Sequence, residues 1–273
     1  MNQEGLVIFH LLGPVRLGSE AVTPCPASPT SLGILAALML AGGHGLSASR
    51  LKRLIWDNPP RSAMSNLRTY IGQARTHLRE YGLTDRLHTN RGTGGADATY
   101  QLFIESGESD VQAFNEHTAQ AGVASARGQF DVAMHRLRQG LSLWAGPACS
   151  NASGSTVMRG YIYALNEQRL LAREDYIEAG LALGLAHVLV GEARAVVADH
   201  PTRERASEQL IRVLYSSGDP HGALNEHRRL SMRLREDLGV DPSPPLQRLY
   251  SAILSHDESL QRRQDSRLLG WSA

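Results

Sequence analysis

A chain of 273 residues, 42% hydrophobic and 20% charged, is long enough for two domains of ordinary size and too apolar for wholesale disorder. Its charges nearly cancel, 28 basic against 27 acidic, but unevenly: Arg50 to Arg91 holds nine basic residues against three acids, and beyond Glu105 acids outnumber arginines 20 to 18. A basic block on a neutral-to-acidic body is the asymmetry of a module that meets nucleic acid.

Residue types exclude several chemistries. Lys52 is the only lysine and is followed by Arg53, so the phosphate loop that needs Lys before Ser or Thr is absent. There is no dinucleotide-binding glycine fingerprint, zincin helix or hydrolase elbow. His221 and His227 stand six apart on an expected helix and face different ways, and the adjacent carboxylates Glu174-Asp175 and Glu236-Asp237 read as solvated helix faces. Cys25 and Cys149 form neither a disulfide framework nor a ligand cluster. No enzymatic activity, cofactor or metal is expected. The longest apolar stretch, Leu32 to Ala41, is about half of the ~20 residues a spanning helix needs, and no basic-then-apolar leader opens the chain. The expected location is cytoplasmic, on the nucleoid, with no membrane partner.

In chain order, Leu6 to Gly18 predicts short strands broken at Gly13-Pro14, with another around Ala21 to Thr23. Ser28 to Ser31 offers caps for a first helix through Leu32–Leu40, stopped by Gly42-Gly43. Ser47 caps a second, Ala48 to Trp56, with Leu51, Leu54 and Ile55 inward and Arg50 and Arg53 outward. A third, about Ser62 to Tyr81, has an apolar stripe of Leu67, Tyr70, Ile71, Ala74 and Leu78. At ~100° per residue, Ser62, Ser65, Thr69, Gly72 and Thr76 lie opposite, flanked by Arg61, Arg68, Gln73 and Arg79. Small residues let a backbone approach a groove, and Arg and Gln read base edges or pair phosphates. Strands at Leu87–Asn90 and Thr99–Ile104 then flank a glycine-rich tip. Three helices and a hairpin predict a winged helix-turn-helix. Its expected DNA-contacting residues are Arg50, Lys52, Arg61, Ser65, Arg68, Thr69, Gln73, Arg75, Thr76, Arg91 and Thr93.

Beyond Glu105 the sequence predicts nearly continuous helix. Gly128, Gly184 and Gly218 each stand at a helix break, with a small or apolar residue five later. The second and third are spaced like tetratricopeptide helix pairs. Three pairs are expected from about Asp110 to Leu254, with Leu210, Val213, Leu214, Leu224, Leu230 and Leu234 in their core. The fold class is thus mostly α: a winged helix (1–105), an all-α tetratricopeptide-like domain (106–256) and a flexible tail (257–273). A fragment ending at 109 is expected to fold and bind DNA alone.

Several phrases together carry a family resemblance. They are Leu11-Leu12-Gly13-Pro14-Val15, Ser47 through Leu54-Ile55-Trp56, Pro59-Pro60, Leu67-Arg68-Thr69-Tyr70-Ile71, Gly128-Gln129-Phe130, Leu141 through Pro147, Glu178 through Gly184, His200-Pro201 and Glu236 through Pro242. Over about 250 positions the chain resembles the Streptomyces antibiotic regulatory proteins, the SARP family, which join an OmpR-type winged helix to a bacterial transcriptional activation domain. The resemblance implies an activator of a biosynthetic gene cluster, bound as two copies to direct repeats of double-stranded DNA near a promoter and recruiting RNA polymerase holoenzyme. Three departures stand out. Gln73-Ala74-Arg75 replaces the usual Arg-Leu-Arg, so only Arg75 carries over. The wing, which usually runs quickly into Gly-Tyr, gains several residues in Gly94 through Tyr100, and Ala148 to Thr156 lacks the usual apolar-acidic character and reads as a mobile loop. The residues alone leave two rivals: an interaction or effector-sensing protein whose winged helix serves dimerisation, for which DNA binding would be salt-insensitive, and a repressor.

Overall fold

The computed structural model describes residues 8–18, 28–92, 97–255 and 257. The strand expected at Ala21–Thr23, wing residues Thr93 to Ala96 and nearly all of the tail lie outside them. The chain forms two compact units, and these do not follow the linear division at residue 105: the first is 1–117 with 139–168, the second 118–138 with 169–273.

In the first unit, β1 (Phe9–His10) and β2 (Arg16–Leu17) pair antiparallel. Helix α1 (Pro29–Leu40) begins where Ser28 Oγ accepts the Ser31 N–H, and every residue from Ser31 to Met39 is buried. An Ala- and Leu-rich helix without a polar face belongs at the centre of a core, and α1 packs on both α2 (Ala48–Ile55) and α3 (Ala63–Glu80). Ser47 caps α2 as expected, accepting the Arg50 N–H at 3.1 Å. Strands β4 (Leu87–Asn90) and β5 (Thr99–Leu102) form the wing hairpin, with Asn90 opposite Thr99. A third strand, β3 (Leu46–Ser47), pairs with the other side of β5; two residues are too few to show strand alternation in sequence.

Residues 145–156 are part of this unit and are not a loose loop. Ala145 N–H donates to Leu12 O at 2.7 Å, Cys149 N–H to Leu11 O at 3.0 Å, Ser153 N–H to Pro29 O at 2.8 Å and Ser155 N–H to Leu54 O at 2.9 Å. Asn151 receives the Val15 N–H at 2.7 Å and returns a bond to Val15 O at 3.2 Å, while Ser155 Oγ donates to Arg53 O at 2.6 Å. Cys149 and Met158 are buried in the same apolar core as α1 to α3, a Met of that burial contributing about 1.5–3 kcal/mol. This strap replaces the mobile loop read from its composition, because its attachments are backbone groups, which composition does not encode. Its counterpart is Asp110, first residue of α4 (Asp110–Ala126). The buried carboxylate accepts the Leu11 N–H at 2.9–3.0 Å and the Leu12 N–H at 3.0 Å, so charge-assisted bonds compensate its burial.

The second unit is built from helix pairs. Gly128, Gly184 and Gly218 have φ of 75°, 72° and 83°, the left-handed region that favours glycine at a helix end. They separate α4 from α5 (Phe130–Ser142), α6 (Thr156–Ala182) from α7 (Ala186–Asp199), and α8 (Glu204–Ser216) from α9 (Pro220–Arg233). Each is followed by the same closing bond at 2.9 Å: Gln129 N–H to Ala124 O, Leu185 N–H to Gly180 O, Asp219 N–H to Leu214 O. Five residues after each glycine, Ala133, Leu189 and Ala223 are buried. Helix α10 (Pro244–Leu254) packs on α8 and α9. Leu210, Val213, Leu214, Leu230 and Leu234 are core residues as expected; Leu224 is half-buried against them.

Glu174 departs from the solvated reading of its pair. It is fully buried on α6, where Arg203 forks onto both carboxylate oxygens and Arg205 reaches it at 3.4 Å. Beside it Arg212 holds Glu178 at 2.8 and 3.0 Å. Burial raises the Glu178 carboxyl, but the Arg212 bonds and charge outweigh that and hold it below the usual range. Charged side chains thus fasten α6 to α8 where an apolar pattern would have been read as contact. Among the described residues no helix is long and apolar enough to cross a membrane, and no cluster of three or more His, Cys, Asp or Glu could hold a metal.

Candidate nucleic-acid interface

Helix α3 is oriented by its apolar stripe: Leu67, Ile71, Ala74 and Leu78 are buried, and half-buried Tyr70 lies against Trp56 with ring centroids 6.4 Å apart. The opposite face is thereby presented outward, and Ser65, Arg68, Thr69, Gly72, Gln73 and Thr76 are all exposed. A β-carbon at Gly72 would meet nothing within 4 Å, so a groove wall could approach the backbone there. Ser65 Oγ donates to Ser62 O at 2.8 Å and Thr69 Oγ1 to Ser65 O at 3.2 Å. Their hydroxyl protons are occupied, leaving oxygen lone pairs and the Thr69 methyl to face a ligand.

The cations around this face divide into two sets. Arg53, Arg61, Arg68, Arg79 and Arg91 are exposed and form no ion pair among the described residues. Three of the residues expected at the interface have neighbours within the unit that bond to them or share their charge. Arg75 is half-buried and donates to Leu87 O at 3.4 Å and Thr89 Oγ1 at 2.6 Å, tying α3 to the wing. Arg50, expected outward, is half-buried and donates to Tyr161 Oη at 2.7 Å. Lys52 is half-buried, its charge acting on Asp97. Thr93 lies outside the described residues. Arg86, counted in the basic block, is neutralised by Glu105 and Glu108 at 3.0 and 2.9 Å.

Asp97 was not singled out from sequence. Its Oδ2 accepts the Ser49 N–H at 2.7 Å, pinning the base of the wing to the first turn of α2. Hydrogen bonds from Ser49, with a contribution from Lys52, hold its carboxyl below the usual range. The signal available was an acid at the end of a glycine run, which does not reveal a partner 48 residues away. The surface is therefore a small-and-basic helix face that includes exposed Arg68, with exposed Arg61 and Arg79 near the two ends of α3, on a scaffold braced by Arg75 and Asp97. Such a face can pair phosphates and hydrogen-bond base edges.

Residues 109–254, more than half of the chain, match the family profile of the bacterial transcriptional activator domain, and residues 23–94 match that of the C-terminal domain of transcriptional regulatory proteins. The chain belongs to the SARP family of transcriptional regulators. This SARP protein is 31% identical over 252 residues to the transcriptional regulatory protein MoaR1 of Mycobacterium tuberculosis, covering 92% of the chain and 80% of that relative. It is 31% identical over 263 residues to the regulatory protein DnrI of Streptomyces peucetius, covering 93% and 94%. Its fold resembles the solved structure of Mycobacterium tuberculosis EmbR in complex with low affinity phosphopeptide, with a TM-score of 0.80 and 28% identity over 96% of this chain and 69% of that one. By sequence the SARP chain spans 63% of the length of EmbR.

Proposed function

We propose that this SARP regulator activates a biosynthetic gene cluster, inserting the exposed face of α3 into the major groove of direct repeats, as two copies, and recruiting RNA polymerase holoenzyme through its helical repeats. The observation that carries the reading is the outward face of Ser65, Arg68, Thr69, Gly72, Gln73 and Thr76, small enough for close approach and polar enough to read bases. Unpaired Arg68, with Arg61 and Arg79 near the two ends of α3, supplies the salt-dependent phosphate attraction. The protein has no catalytic role in this reading, and acts in the cytoplasm on the nucleoid.

Mapping of protected DNA across the genome, beside run-off transcription from the sites found, tests it. Paired direct repeats upstream of one gene cluster, with transcription rising on addition of protein, are expected. Falling transcription would identify a repressor, and DNA binding insensitive to salt would favour an interaction protein.

A further inference from the structure

Helix α6 opens within the segment that matches the activator domain, yet its first two turns lie along α2. At the C-terminal end of α2, Ser155 N–H donates to Leu54 O at 2.9 Å and Thr156 N–H to Asp57 Oδ1 at 2.8 Å. At the other end of α2, Arg50 donates to Tyr161 Oη at 2.7 Å. Later residues of α6 thus meet earlier residues of α2, so the two stretches run antiparallel, and both belong to one compact unit. The turn of α2 that reaches Tyr161 is also the one whose Ser49 N–H is held at 2.7 Å by Asp97 at the base of the wing. Tyr161 therefore adjoins the candidate interface, and it is 45% exposed. Its oxygen accepts from a guanidinium, which leaves the phenol proton for an acceptor outside the unit. One turn on from Arg50, Arg53 is exposed and forms no ion pair among the described residues. The nearby acids are taken up, Asp57 by Thr156 and Arg159 and Asp97 by Ser49. What faces outward is a set of donors with positive charge, which the oxygens of one phosphate can accept together.

We propose that Tyr161 is a DNA contact: with Arg50 and Arg53 it holds a backbone phosphate flanking the groove that α3 enters. The inference rests on the reading of α3 as the groove-entering helix, and it puts a residue of the activator segment into the DNA-binding surface. In a helix-turn-helix the helix before the recognition helix crosses the backbone, and α2 holds that place here. Tyrosine hydroxyls and arginines are among the side chains that bind phosphate oxygens and fix a protein's register on the duplex.

The test is fluorescence anisotropy of the full-length protein with two labelled duplexes, one carrying a protected site from the genome mapping and one of scrambled sequence. Tyr161→Phe keeps the ring and removes only the hydroxyl. It is expected to weaken binding to both duplexes about tenfold, the loss of a hydrogen bond to a charged acceptor, with the salt slope unchanged because no cation is removed. Arg53→Gln is expected to weaken both and to lower the salt slope by about one; at its exposed position it carries the test if Tyr161→Phe unfolds by circular dichroism. A neutral methylphosphonate moved along the site should find one position where wild-type affinity falls more than that of Tyr161→Phe. Unchanged affinity in folded Tyr161→Phe overturns the proposal, as does tighter binding, which would mean that the phenol only keeps Arg50 from DNA. A loss confined to the specific duplex, the mark of a base contact, also overturns it, and so does intact DNA binding beside lost run-off transcription, the mark of a protein contact. Arg68→Ala, measured alongside, reports on α3. A loss there with none at Tyr161 overturns this contact alone, whereas wild-type protein that binds neither duplex overturns the reading of α3 as well.

Discussion

Gly33 and Ser153 touch backbone to backbone: a β-carbon on Gly33, in the middle of α1, would overlap the carbonyl oxygen of Ser153 in the strap. Gly33→Ala is therefore expected to destabilise the protein even though alanine favours a helix interior by about 1 kcal/mol. Overpacking against backbone costs roughly 1–3 kcal/mol. A urea midpoint that falls confirms the contact; one that rises means that the strap does not lie there.

Asp110 and the strap make a joint prediction. Asp110→Asn leaves the buried Leu11 and Leu12 N–H groups poorly satisfied, at about 1–3 kcal/mol each, and should lower the urea midpoint with operator contacts untouched. A fragment of residues 1–109 lacks Asp110, Cys149 and Met158 and should aggregate or bind a hydrophobic dye, contrary to the expectation that it folds alone. A fragment of residues 1–168 should stay folded and bind DNA. Equal solubility of the two fragments would refute the structural role of the strap.

Arg68 and Arg75 are expected to fail in different ways. Arg68→Ala removes an exposed side chain, so DNA affinity should fall by roughly 1–3 kcal/mol for a base contact, or the salt slope by about one for a phosphate contact, with thermal stability unchanged. Arg75→Ala instead loosens the wing from α3 and should lower stability first. Thermal melts beside anisotropy titrations at several salt concentrations separate them.

His227 stacks on Tyr250 with ring centroids 4.1 Å apart, and its buried Nε2 has no hydrogen bond among the described residues. Burial pushes its pKa below the ordinary 6.5. Because the folded pKa is depressed, its stabilising effect is present above the unfolded value and is lost as pH falls through about 6.5 and below. Unfolding free energies at about pH 7.5 and about pH 5.5 should show this loss in the wild type and a smaller one in His227→Phe. Identical pH dependence would mean that the ring is solvated.

The parts of the fold legible in sequence are those specified by neighbours along the chain. Ser28 and Ser47 cap α1 and α2, the Leu67–Leu78 stripe orients α3, and three glycines in left-handed backbone end helices in the repeats. The strap was illegible because Leu11, Val15 and Leu54 meet it through main-chain groups that any residue carries; the visible traces were a glycine inside an apolar helix and an acid at the start of α4. Glu174 and Asp175 look alike in sequence, and the Arg203 fork that compensates the burial of Glu174 comes from about thirty positions on. For the interface, exposure along α3 followed from helical phase, whereas the engagement of Arg50 by Tyr161 and of Arg75 by Thr89 depends on tertiary neighbours.

The strap also sets the order in which the protein can mature. A nascent chain that has released all three helices and the wing still lacks the residues that close their core. At ~5–20 residues per second, the stretch from 109 to 168 takes about 3–12 s to synthesise. Through that interval the half that meets DNA waits on the ribosome with an apolar flank uncovered, so synthesis of the activator segment is a step in making the DNA-binding unit as well as its sequel.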